Sequence, residues 1–359
     1  MHCPTILFVL VLCGFALSNQ TCPFNNGGNS STPSQPDPDL DAKRTIGFLG
    51  TGDQWADVEI PYDTNDKNGN ETKLEGTIKQ LYLLKQQNRH LKTLLSVGGY
   101  TFSHSWYLIL HNETCRSTFA SSAVTLMYNI GLDGPDYDYE SINSTDQAAQ
   151  FVDLLNKTRT QLNTYKNVTF PFLLNFDAPA GPSRYKLLDI KGMDPFLDFW
   201  TFMAFDYVGS WTIPLYAGHA QNLYCSNDNL STPFDTNTSI EYYISQGIAA
   251  SKINISNPLY GHAFQNTNGP RTLFYRTRNR DWNKTGSIWD YKHLPLTKNT
   301  TIYENEDLVL SWSYDNDTGT MISYDTPKIA RRKVRYVMNE GLGGAAWWQL
   351  VGIRKGQIV

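Results

Sequence analysis

Three carboxylates stand at alternate positions in Asp133-Gly-Pro-Asp136-Tyr-Asp138-Tyr-Glu140, and that spacing is the strongest chemical signal in the chain. Side chains along an extended strand alternate between faces, so Asp136, Asp138 and Glu140 share one face while Pro135, Tyr137 and Tyr139 share the other. Acids about 7 Å apart along a partly buried strand cannot all stay ionised. They share protons, and at least one pKa is pulled upward. The run ends at Ser141-Ile-Asn-Ser-Thr145, a helix-start signal that places Glu140 at the C-terminal mouth of the strand and Asp136 deeper. The outermost acid is then suited to protonating a leaving group. A hard-cation site is the competing use of three acids, but Ca²⁺ prefers loop carbonyls and more ligands than one strand face offers, so no metal is expected.

Such a row needs a rigid sheet to hold it. β-like runs at Leu94–Gly99, Ile130–Tyr139 and Phe170–Phe176 alternate with helix-like stretches at Cys115–Asn129 and Thr145–Tyr165. This is the βαβ rhythm of a parallel sheet. It continues through Asp198–Asp206, Lys252–Tyr260 and Gly343–Gln349, with helix-like Ser239–Ala249 and Pro327–Asn339 between them. So many units predict an α/β fold closed as a (β/α)8 TIM barrel, with barrel segments at 44–261 and 326–359. Residues 262–325 break the rhythm with Asn, Thr, Tyr, Trp and turn signals, which predicts a small α+β insertion between strands 7 and 8. In a barrel such an insertion emerges at the catalytic face and walls a long cleft.

Composition narrows the substrate. The net charge of -4, with both signs mixed along 359 residues, offers no basic patch for nucleic acid and no polybasic membrane anchor. Nine Trp and 21 Tyr, many beside Gly, Asn or Asp, suit stacking on the apolar faces of a neutral sugar. Met1–Ser18 carries an apolar run too short to span a bilayer comfortably, followed by small residues, and is expected to be a secretory signal. Residues 19–43 form a polar leader. Thirteen N-x-[ST] sequons, from Asn19 to Asn316, agree with a glycosylated, secreted protein. Beyond the signal, Cys22, Cys115 and Cys225 lack C-x-x-C spacing, so one disulfide and one free thiol are expected rather than a zinc site.

The acid run resembles the D-G-x-D-x-D-x-E signature of glycoside hydrolase family 18, the chitinases. Leu95-Ser-Val-Gly-Gly99, Met203-Ala-Phe-Asp-Tyr207 and Gly341-Leu-Gly-Gly-Ala-Ala-Trp-Trp348 resemble further motifs of that family, in its order. Lys79-Gln-Leu-Tyr-Leu-Leu-Lys85, Ala178-Pro-Ala-Gly-Pro182 and Ile322-Ser-Tyr-Asp-Thr-Pro327 are most similar to fungal endochitinases with an α+β insertion domain. The resemblance implies an endo-acting enzyme on chitin or chito-oligosaccharides, monomeric and without cofactor, working by substrate-assisted retention. It makes Glu140 the acid and base, Asp138 the acetamide partner, Asp136 the holder of a shared proton and Tyr207 a donor to the acetamide oxygen. Trp348 would floor the subsite at the scissile bond, with Met203 below it and Asp206 on the neighbouring sugar. Gly98, Gly99, Tyr100, Tyr139 and Tyr260 are also expected at the substrate.

Several positions depart from the family pattern. Pro135 replaces a branched aliphatic and removes a ladder hydrogen bond. Asn175 and Asp177 stand where small apolar residues are usual, and His262 where an Arg is usual. Too little chain precedes Gly52-Asp-Gln-Trp-Ala-Asp57 for the first two family strands, so the barrel is expected to be incomplete at its N-terminus. The apolar run Thr5–Leu17 then has a second reading, as a replacement strand. The altered rim and shortened start also leave a chitin-binding, non-catalytic protein as the alternative function.

Overall fold

The computed structural model describes residues 7–11, 59, 76–87, 91–100, 102–165, 171–275 and 287–354. One compact unit comprises Met1–Asp177 and Gly192–Asp198, the other Ala178–Lys191 and Phe199–Val359.

In the first unit, parallel strands β1 (Leu7–Val11), β2 (Lys92–Gly98), β3 (Gly134–Asp138) and β4 (Asn175–Ala178) pair in sequence order. Helices α1 (Gly76–Gln87), α2 (Trp106–Leu110), α3 (Glu113–Asn129) and α4 (Thr145–Leu162) join them. Two of these helices start where polar side chains cap free backbone donors. Asn112 accepts from Cys115 N–H at 3.1 Å, and Ser144 from Gln147 N–H at 3.2 Å. These caps close the loops that leave β2 and β3. Along α4, Ala148, Phe151, Leu154, Leu155, Thr158 and Leu162 recur at helical spacing and are buried. Phe151 meets Tyr137 on β3 and Phe176 on β4, with ring centroids 6.3 and 5.1 Å apart.

All five residues of β3 are buried, as an interior parallel strand requires. Pro135 sits opposite Leu95, and the register runs unbroken from Leu94↔Gly134 to Gly98↔Asp138. The proline costs one donor without shifting the acids. Leu7–Val11 lies beside Lys92–Ser96, which is the arrangement of the replacement-strand reading. The polar leader and Gly52–Asp57 lie outside the described residues. Cys115 is disulfide-bonded, its partner cysteine also outside them, and Cys225 is a free, exposed thiol.

In the second unit, β6 (Ile253–Pro258) lies between β5 (Phe199–Met203) and β12 (Gly344–Trp348), all parallel. The helices α5 (Thr236–Ser245) and α6 (Pro327–Asn339) begin at caps Asp235 and Thr326. The described residues thus hold seven parallel strands, four in the first unit and three in the second, short of the eight of a full barrel. Between β6 and β12 runs an antiparallel sheet ordered β8-β7-β11-β10-β9. Its strands are β7 (Tyr260–Phe264), β8 (Ile288–Asp290), β9 (Thr301–Asn305), β10 (Leu310–Asp315) and β11 (Thr320–Ser323). Among its described residues the only helical piece is a single 3-10 turn at Tyr291–His293. Strand alternation gives it two apolar faces: Ala263 and Ile322 pack with Leu294 and Tyr324, Phe264 and Met321 with Val208, Ala217 and Phe274.

Two sequence expectations shift by a few residues. The strand expected at Phe170–Phe176 forms instead at Asn175–Ala178, because pairing with β3 is set by register rather than by where apolar residues cluster. The helix expected from Ser239 begins at Thr236, where the Asp235 side chain accepts from Thr238 N–H at 2.8 Å.

A buried ion pair ties α6 to the end of the antiparallel sheet. Lys333 Nζ donates to Asp325 Oδ2 at 2.6 Å and to the Gln221 carbonyl at 2.7 Å, and both charged side chains are 2 % exposed. Burial pushes the Asp325 pKa up and the Lys333 pKa down, with their mutual attraction opposing both. Lys333→Met strands a buried carboxyl and is expected to lower unfolding free energy by about 3–5 kcal/mol. Urea denaturation checks it, and adding Asp325→Leu should recover most of the loss.

Candidate active site

The acid row is built by three adjacent strands of the first unit. The register sets Ser96 beside Asp136, Gly98 beside Asp138, and Asn175 beside Asp136. Asp136 is fully buried and Asp138 nearly so, while Glu140, just past the strand end, stays half-buried. Glu140 is fastened through its backbone, whose N–H donates to Ser103 Oγ at 2.9 Å. Ser141 Oγ donates to the Ser103 carbonyl at 2.6 Å, closing the same loop.

Close strand approach explains two glycines of the motifs. Gly98 has φ +126, and a Cβ there would lie 2.1 Å from the Asp138 carbonyl oxygen. At Gly134 a Cβ would lie 1.9 Å from the Leu173 carbonyl oxygen. Only glycine admits both approaches. Asp133, first letter of the signature, is an anchor at the base of β3. It accepts from Lys85 Nζ at 2.5 Å and from Thr93 N–H at 2.7 Å, tying the strand to α1 and β2.

Burial dominates the electrostatics. It raises the Asp136 pKa to about 6, with hydrogen bonding to Ser96, Asn175 and Asp177 pulling it back down. Burial, then the charges of Glu140 and Asp136, lift Asp138 well above the carboxylate range. Asp177 is lifted likewise, by burial and then by Asp136, Asp138 and Glu140. Asp136 Oδ2 and Asp138 Oδ1 are sealed from solvent with no hydrogen bond of normal geometry. The result is a set of buried acids whose pKa values are raised, topped by one carboxyl that reaches the surface. Such a set can deliver a proton and take it back.

The second unit carries the other expected residues. Met203 ends β5 half-buried. Asp206 has φ +61, a backbone state rarely held by a non-glycine residue, and its side chain is 44 % exposed. Its Oδ1 accepts from Tyr260 Oη at 2.5 Å and lies 2.7 Å from His262 Nε2. Trp347 and Trp348 are both half-buried at the end of β12.

Five residues expected at the substrate make contacts within the protein. Tyr139 is buried on the face opposite the acids, against Trp106 and Phe151, and donates to Gln147 Oε1 at 3.0 Å. Strand alternation itself puts it there. Tyr207 is also buried, its ring on Phe234 and its hydroxyl 2.6 Å from Thr236 Oγ1, so that hydroxyl is already engaged inside its own unit. Tyr260 is buried and spends its hydroxyl on Asp206. Gly98 and Gly99 act through backbone, Gly99 N–H donating to the Asp138 carbonyl at 2.9 Å. Tyr100 is 82 % exposed and open to a ligand. The supporting residue Ser103 carries no sequence signal of its own, and Asp133, though part of the signature, has partners that only loop closure and register fix.

Residues 11–352 match the family model for glycosyl hydrolases family 18. The chain belongs to this family. It is 40% identical over 315 residues to endochitinase 1 of Metarhizium robertsii, covering 86% of this chain and 73% of that protein. It is 37% identical over 317 residues to chitinase 1 of Aphanocladium album, covering 87% and 74%. Among solved structures it is similar to chitinase ChiA74 from Bacillus thuringiensis, with a TM-score of 0.75 and 27% identity over 84% of this chain. The chain spans about half of that bacterial protein, 53%. Family 18 membership and these relatives make the chain a chitinase-type glycoside hydrolase.

The packing of β2 on β3 predicts the effect of two substitutions. Gly98→Ala forces a clash with the Asp138 carbonyl and is expected to cost at least about 2 kcal/mol of stability and most activity. Tyr139→Phe removes one hydrogen bond, costs about 1 kcal/mol, and leaves KM unchanged because the ring touches core and not sugar. Thermal unfolding and steady-state kinetics on chito-oligosaccharides check both.

Proposed function

We propose that this family 18 member is a secreted endo-acting chitinase that hydrolyses β-1,4-linked N-acetylglucosamine polymers with retention of configuration. The observation that carries the proposal is the graded row of acids: Asp136 fully buried, Asp138 nearly so, Glu140 reaching the surface, all in one unbroken register. Glu140 protonates the glycosidic oxygen. The substrate's own acetamide oxygen attacks the anomeric carbon, the leaving sugar departs, and an oxazolinium ion forms. Asp138 accepts the acetamide N–H, which orients the group and offsets its developing positive charge. Its raised pKa means that it first releases a proton, and Asp136, whose pKa lies near 6, is the adjacent acceptor. Water then attacks with Glu140 as base, restoring the acid.

Met203, Asp206 and Trp348 in the second unit, and Tyr100 in the first, keep the substrate-contacting roles that the family resemblance implies. Asp206 fits best, since Tyr260 and His262 hold one oxygen and the side chain remains half-exposed. Tyr207 is not given the acetamide-donor role, because its hydroxyl is committed to Thr236. The intact register through Pro135 speaks against a non-catalytic binding protein. Wild-type protein is expected to cleave chitotetraose and chitopentaose to β-anomeric products seen by NMR. Glu140→Gln should lower kcat at least about a thousandfold while binding persists. Oligomers left uncut by the wild type would overturn the proposal.

Secretion rests on the apolar Met1–Ser18 run and the sequons. Protein recovered from culture medium is expected to begin after Ser18 and to lose mass on enzymatic deglycosylation. An intact, unglycosylated Met1 terminus would instead keep Leu7–Val11 in the sheet beside β2.

A further inference from the structure

The acid row has a fourth member that lies on a different strand. Asn175 and Asp177 are two residues apart on β4, so both point to the same side of the sheet. The register Asp136↔Asn175 and Tyr137↔Phe176, extended one step, sets Asp177 level with Asp138. Asn175 Nδ2 donates to Asp136 Oδ1 at 2.5 Å and reaches Asp177 Oδ1 at 3.3 Å, bridging the two carboxyls with one amide. Asp177 is 8 % exposed. No cation among the described residues compensates it; the ionisable groups facing it are Asp136, Asp138 and Glu140.

We propose that Asp177 is a positioning residue of the glycosidase site: a neutral carboxylic acid that donates its proton in a hydrogen bond to Asp136, so that Asp138 exchanges its proton with a pair of carboxyls rather than with Asp136 alone. The inference rests on the catalytic reading of Glu140 and Asp138 given above. Three buried carboxyls packed this closely cannot all be anionic, and an amide bridge that donates to two of them cannot supply the missing protons. Two protons shared among Asp136, Asp138 and Asp177 leave one negative charge, which Asn175 and the Asp177 hydroxyl hold on Asp136. When Asp138 turns to the acetamide it passes its proton to Asp136. The Asp177 proton stays in place, so the pair becomes neutral as Asp138 becomes the anion. The direction of the pKa shifts agrees: Asp177 lowers Asp136, and Asp136 raises Asp177. The same chemistry makes Asp177 a source of pH-dependent instability. A carboxyl whose folded pKa is raised contributes stability fully present below its unfolded pKa of about 3.9 and lost as pH rises through the folded value.

Two variants test the assignment in the whole protein. Asp177→Ala removes the donor and is expected to lower kcat on chitopentaose about tenfold with KM within twofold. Asp177→Asn keeps a donor toward Asp136 and is expected to recover most of that loss. Urea unfolding between pH 5 and 8 reads the proton directly: unfolding free energy should fall less steeply with pH in Asp177→Asn than in wild type, by up to one proton. This slope is measurable whether or not the protein hydrolyses chitin, so it separates failure of this inference from failure of the catalytic reading. Identical slopes for wild type and Asp177→Asn would overturn the proposal. Equal loss of kcat in both variants would also overturn it, leaving Asp177 a packing residue.

Discussion

Holding several carboxyls inside a sheet is the constraint from which most of the first unit follows. A buried carboxylate is costly, and a row of them is more so, because each charge raises the pKa of the next. The strand must therefore be held to its register, since a slip of one residue would turn the acids into the aromatic layer and Tyr137 and Tyr139 into the site. Gly98 and Gly134 allow neighbouring backbone to close on β3 from either side. Asp133 pins its base to Lys85 and Thr93, and Ser103 pins the loop at its outer end. None of these residues needs to touch sugar to keep the acid row in register.

The two faces of β3 do opposite work. On one, burial raises the pKa values of the acids. On the other, Tyr137 and Tyr139 enter an aromatic cluster with Trp106, Phe119 and Phe151, with ring centroids 5.2 to 6.3 Å apart. Fully burying each ring contributes about 2 kcal/mol or more, which offsets part of the cost of the acid face. The Tyr137 hydroxyl meets Thr158 Oγ1 at 2.8 Å, so the layer leaves that polar group satisfied.

In the second unit the antiparallel insertion holds Asp206 in place. Its first strand, β7, carries both Tyr260 and His262, and these two hold Asp206 in a left-handed backbone state that few aspartates adopt. The far end of the same sheet leads through Tyr324 and Asp325 into α6, where the Lys333 ion pair locks it. The insertion is thus fastened at both ends to elements that flank β6 and β12.

The acid motif, its strand alternation, the βαβ rhythm and the family resemblance were all legible in the linear chain, because spacing along a strand or helix is a local property. Helix α6 forms with the boundaries expected for it, Pro327–Asn339. What the chain order did not disclose was which polar groups meet. Tyr139, Tyr207 and Tyr260 looked like ligand contacts by type and position, yet each is turned into protein by neighbours distant in sequence or on the opposite strand face. Asp177 and Asn175 read as departures from a pattern, and only the pairing of β4 with β3 set them beside Asp136. Local spacing therefore determined which face of β3 bears acids, while burial and cross-strand register, which exist only in the folded chain, decided which acids have raised pKa values and which residues hold them.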